Sequence, residues 1–164
     1  MEETIKYLLN NISVTTSLLF LIAFGIDILI NSSQSWSERC FFWFLIFPVG
    51  LTCLYAGVFH IFYQDIAAGL IGWEPSPFEI EVGLANLSFA AMAILAAFYG
   101  FEARMILITG YSVFLWGAAI GHVRDMIVNS NYHSANAGPF FWTDILFPLV
   151  GIILLVMTYR KEGA

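Results

Sequence analysis

His60, Glu79, Glu81, His122, Asp125 and Asp144 are ionisable side chains at the ends of long apolar runs, and the alternation of those runs brings these ends to one side of a bilayer. Imidazole nitrogens and carboxylate oxygens form a donor set that suits Zn, Mn, Fe or Ni. His60, Glu81, His122 and Asp125 are therefore assigned to a divalent metal or cation, with Gln64, Asp65, Glu79, Asn86, Asn136 and Asp144 around them to orient or supplement the ligands. His122 and Asp125 stand three apart and share a helix face, as His60 and Gln64 do at a spacing of four. An ionised side chain at the bilayer centre costs ~2.5–3.5 kcal/mol, so such groups turn inward and find partners. The bland alternative is a set of interfacial residues paired with one another, with Arg124 or with loop backbone. No HExxH and no Glu-x-x-His pair is present, so spacing alone names no known catalytic motif.

The elements that position these residues follow from composition. Of 164 residues, 60% are hydrophobic and 11% charged, with a mean hydropathy of +0.82, whereas soluble domains carry roughly 25% charged residues. This is the composition of an integral membrane protein. A membrane-spanning helix needs ~20 apolar residues, and five runs qualify, at about 13–31, 40–63, 80–99, 104–128 and 140–159. Continuous runs of this length form helices rather than the alternating segments of a barrel. The fold expected is thus all-α, a polytopic bundle of about five transmembrane helices occupying residues 1–164 as one unit. The acidic start MEETIKYLLNN lacks the basic region of a signal peptide, so the first span is expected to be retained. A net charge of −6 without a basic patch argues against nucleic acid as a partner. Cys40 and Cys53 lie too far apart along one run to be bridged and are read as packing residues.

Arg39, Arg104, Arg160 and Lys161 fall on one side and Lys6 and Arg124 on the other, which favours an outside N-terminus and a cytoplasmic C-terminus. Pro48 and Pro148 each remove a backbone hydrogen bond within a run. Gly110, Gly117 and Gly121 leave one face of the fourth run almost bare, so a close helix neighbour is expected there. Asp27 has no basic residue nearby in sequence and reads as a protonated or water-linked structural acid, or as a proton relay. His133 reads as a solvent-exposed loop residue. The connection from Gln64 to Glu79 is apolar and then proline-rich, and is expected to lie flat in the interface or dip back in.

Three stretches, GWEPSPFEIEVGLANL at 72–87, GHVRDM at 121–126 and NAGPFFWTDILFPL at 136–149, resemble a family of small prokaryotic integral-membrane proteins that has no assigned activity. Its patterns are W-x-x-S-P-F-x-x-E-V-G-x-A-N-L, G-H-[IV] and N-A-G followed by D-[IV]-L-x-P-L. The resemblance covers about residues 55–155 and places Glu81, Asn86, His122, Asn136 and Asp144 at the polar positions, with Glu79 where Gln is expected. It implies a prokaryotic cell (inner) membrane. Three functions compete: a membrane metal or cation site, as enzyme or carrier; an accessory or structural subunit of a larger membrane complex or homo-oligomer; and a haem- or quinone-binding redox protein, with His60 and His122 as axial ligands.

Overall fold

The computed structural model describes residues 11–30 and 35–162. In chain order these form α1 (Ile12–Ile30), α2 (Trp36–Phe62), α3 (Gln64–Ile71), α4 (Phe78–Phe98), α5 (Phe101–Asn129), α6 (Ser134–Ala137) and α7 (Pro139–Glu162), with no strand among the described residues. Five of the apolar stretches, with α6 running into α7 as the last, are long and apolar enough to cross a membrane. Their outward faces stay apolar: Leu18, Ile22, Ile106, Val113 and Ile127 are all more than half exposed. A surface of this kind is stable only against lipid, so the protein is an integral membrane protein.

Local chemistry sets the helix boundaries. Ser35 caps α2 by accepting from the Glu38 N–H. The middle of α2, Leu45–Leu51, is wound as a π-helix around Pro48. Proline lacks an N–H and its ring crowds the carbonyl one turn back; widening that turn lets the chain pass, and the α form resumes at Thr52. At Tyr63, with φ −134° and ψ 47°, the helix breaks. Gln64 therefore opens a new helix, and the shared face expected for His60 and Gln64 does not exist.

The core lies toward the face that holds the α4–α5 hairpin. Phe41, Phe44, Leu45, Val49 and Cys53 of α2 meet the alanine face of α4 (Ala90, Ala93, Ala96, Ala97), with Leu107, Ile108 and Tyr111 of α5 and Phe147 and Leu154 of α7 completing it. Cys40 and Cys53 are both free thiols. Two ion pairs close this end. Arg39 Nε donates to Asp27 Oδ2 at 2.9 Å, and Trp43 Nε1 donates to the same oxygen at 3.1 Å. Asp27 is thus an ion-paired acid rather than an isolated one, because Arg39 on α2 reaches it. Arg104 reaches Glu38 at 2.5 Å, its guanidinium 5.2 Å from the centre of the Phe41 ring.

Close helix approach occurs where α2 crosses α4. A Cβ built on Gly57 would stand 3.0 Å from the Gly83 carbonyl oxygen, and one on Gly83 would stand 3.1 Å from that of Gly57. The approach expected at Gly110, Gly117 and Gly121 is absent: Gly117 and Gly121 have nothing within 4 Å of an added Cβ, and Gly110 meets only the Phe89 ring at 3.6 Å. Small residues permit contact without causing it. Here the rings of Phe89, Tyr111 and Phe114 occupy the space between α4 and α5 and hold the two helices apart.

Candidate functional site

Toward the opposite face from the core, the α2–α4 pair and the α5–α7 pair stand apart around a cavity of about 570 Å³. That volume falls within the ~300–1,000 Å³ of small-molecule sites. Apolar side chains such as Tyr55, Phe59, Leu70 and Phe140 make most of its wall. The polar lining consists of His60, Glu79, Asn86, His122 and Asp144, together with the Trp73 indole and the Tyr55 phenol. No Lys or Arg lines it among the described residues.

The connection from Gln64 to Glu79 is partly helical. It forms α3, whose buried Ala67, Ala68 and Ile71 turn toward the protein, and Ala67, Leu70 and Ile71 close one side of the chamber. Gly72 ends α3 in the left-handed region at φ 86°, where a Cβ would also stand 2.6 Å from the His133 ring and 2.8 Å from Asn131 Oδ1. Only glycine fits that turn.

Two imidazoles stand on the chamber wall, and each is held through Nδ1. His60 Nδ1 lies 2.5 Å from Glu79 Oε2. A carboxylate only accepts, so Nδ1 carries the proton and Nε2 is the ring's remaining nitrogen. For His122 the tautomer follows from a longer chain of bonds. Asn136 Nδ2 donates to the Asn131 carbonyl at 2.7 Å, which turns Asn136 Oδ1 toward His122 Nδ1 at 2.6 Å. That nitrogen must therefore donate. His122 Nε2 then stands 3.6 Å from Asp144 Oδ2, too far for a direct hydrogen bond.

Asp125 has a different task. Its Oδ2 accepts from Trp73 Nε1 at 2.9 Å and Asn131 Nδ2 at 2.6 Å, and its Oδ1 accepts from Asn129 Nδ2 at 2.5 Å. Trp73 in turn stacks on His122, ring centroids 5.9 Å apart. Trp73, Asp125, Asn131, Asn136 and His122 thus form a closed ring of contacts that fixes the end of α3 and the His122 ring together. Trp73, Asn129 and Asn131 had no ligand-type signal in the sequence; Trp73 and Asn131 are brought in by turns, and Asn129 meets Asp125 one turn along α5.

The four residues assigned to a metal are not brought together. Among the described residues no group of three or more His, Cys, Asp and Glu side chains is placed to hold a metal ion. Glu81 is exposed on α4 while Glu79 is buried. The reason is helical phase: Glu79, Gly83, Asn86, Ala90, Ala93 and Ala97 recur at spacings of four and three on the inward face, and Glu81, two residues from Glu79, points away. Of the supporting residues, Glu79, Asn86, Asn136 and Asp144 are at the chamber or bonded to its wall, whereas Gln64 donates to the Ile61 carbonyl and Asp65 is exposed. His133 is exposed, beside Gly72.

No curated protein and no solved structure matches the chain. A family match covers residues 10–164, which takes in every described helix and every chamber residue, and the chain belongs to that family, DUF6790, a family of unknown function.

Proposed function

We propose that the protein binds, within the membrane, a largely apolar molecule that carries hydroxyl groups, with a quinol ring as its type. The observation that supports this most is the pair of imidazoles with Nδ1 held and Nε2 left over, set in an otherwise apolar chamber. A neutral ring in that tautomer accepts a hydrogen bond from a hydroxyl. Glu79 steadies the imidazole that accepts at His60, and the 3.6 Å gap between His122 and Asp144 leaves room for a ligand hydroxyl that donates to His122 Nε2. Burial of the ring in the apolar wall supplies affinity, while the dyads supply orientation.

The same free Nε2 atoms also suit axial ligation of a haem, and a visible absorption spectrum of the purified protein separates the two. A transition metal held by His60, Glu81, His122 and Asp125 is disfavoured, because Glu81 and Asp125 face elsewhere. The chamber face is assigned to the outside of a prokaryotic cell membrane, since Arg39 and Arg104 lie at the other.

The test is calorimetric titration of the detergent-purified protein with a short-chain quinol. Saturable binding near one to one that is lost in both His60→Leu and His122→Leu supports the proposal. Binding unchanged by both substitutions, or none in the wild type, rejects it.

A further inference from the structure

The chamber is not sealed on all sides. Where α4 and α5 leave the hairpin they touch through Phe89, whose ring packs on Tyr111 and Phe114 at 5.7 and 5.2 Å. Beyond that contact the helices part. Gly117 lies seven residues past Gly110, about 10 Å further along α5, and an added Cβ there would meet nothing within 4 Å. The chamber-lining residues on this side are also open outward: Val113 is 72% exposed, Val82 is 36% exposed, and Gly117 is exposed. Val113 and Gly117 lie at mid-helix, where the surroundings are lipid, and Val82 lies about one turn into α4. On the other side the wall is filled by the stacked rings of Tyr55 and Phe59, centroids 4.2 Å apart, both only partly exposed.

We infer that the gap between α4 and α5 at Val82, Val113 and Gly117 is a lateral opening to the lipid. Through it a membrane-dissolved ligand enters head first, and its hydrocarbon tail remains lying in the opening. The inference rests on the chamber reading above and adds the ligand's class: a tailed lipid with a hydroxylated ring, rather than a water-soluble phenol. An aqueous ligand would arrive from the face covered by α3, where Trp73 is tied to Asp125 and stacked on His122. A tailed one need not move that ring of contacts. The bare face of α5 then has a physical role, because a side chain at residue 117 would stand in the path of the tail.

Two probes separate this from the chamber reading: a methoxy-substituted hydroquinone without a side chain, and the same ring carrying a decyl chain. Binding of each is measured by calorimetry to the full chain in lipid nanodiscs, for wild type, Gly117→Phe and Gly121→Phe. Gly121 is a sound control, since it too has open space around its Cβ position and does not line the chamber. In Gly117→Phe the decyl compound should lose at least about tenfold more affinity than the tail-less compound does; Gly121→Phe should change neither. Equal loss of both compounds in Gly117→Phe, equal retention of both, or the same loss in Gly121→Phe overturns the opening and leaves the chamber standing. Failure of both compounds to bind wild type overturns the chamber reading itself, and the opening with it.

Discussion

Glu79 and His60 form the shortest imidazole–carboxylate contact of the chamber, 2.5 Å between Oε2 and Nδ1, and it joins α4 to α2 just beyond the point where their backbones touch at Gly57 and Gly83. Both side chains are mostly buried, with 7% and 16% of their surfaces exposed. Replacing Glu79 with Leu removes the acceptor that fixes the ring, so quinol affinity should fall by about tenfold, equivalent to ~1.4 kcal/mol. Glu79→Gln keeps an accepting oxygen and should fall less. Calorimetry on the two variants checks the order.

Asp125 is a structural fastening, and its removal should read as lost stability. Asp125→Ala leaves the Trp73 and Asn129 donors without this acceptor, while Asn131 Nδ2 keeps the Ile71 carbonyl. Three hydrogen bonds and the fastening of Trp73 go together, so a loss of stability is expected. Thermal unfolding in detergent should show it as a clear drop in midpoint. A midpoint within a degree or so of wild type would show that the ring of contacts carries no weight.

Glycines that look alike in sequence should answer alanine substitution with opposite signs. A Cβ on Gly83 would stand 2.5 Å from Ile61 Cγ1 and one on Gly57 2.6 Å from Leu87 Cδ2, with backbone carbonyls close behind. Gly57→Ala and Gly83→Ala should each destabilise by ~1–3 kcal/mol. Gly121→Ala fills empty space and should stabilise, by up to ~1 kcal/mol from helix propensity. The same unfolding measurement compares all three.

Arg39 and Asp27 fasten the other end of the bundle. Arg39→Leu leaves a mostly buried carboxylate without its cation, which typically costs ~3–5 kcal/mol. Asp27→Asn in the same chain should recover part of that loss. Unfolding midpoints of the single and double variants decide it: no recovery in the double variant would mean that the pair is not coupled.

The helices were legible because apolar run length alone separates membrane spans from loops, and alternation alone put His60, His122 and Asp144 toward one face. The choice between Glu79 and Glu81 was legible as well, in the small-residue stripe that continues from Glu79 through Gly83, Asn86 and Ala90, but the family pattern, which has Gln at residue 79, outweighed phase. Three features had no local signal. The break at Tyr63, which separates Gln64 from His60, depends on a backbone conformation that an apolar run does not announce. The Asp27–Arg39 pair forms across a turn of unknown geometry in sequence. Asp125 looked like a ligand because it sits three residues from His122, and its partners Trp73 and Asn131 come from loops whose course is set by Gly72 and by the left-handed Ser130 at φ 52°.

The most direct test is native mass spectrometry of the protein released from its own membranes, with no ligand added. Wild type should carry one organic adduct of quinol-like mass per chain, and His60→Leu and His122→Leu should each lose most of it while remaining folded. Wild type that emerges bare, or with an increment matching a single Zn, Mn, Fe or Ni ion that His122→Leu abolishes, would contradict the proposed ligand.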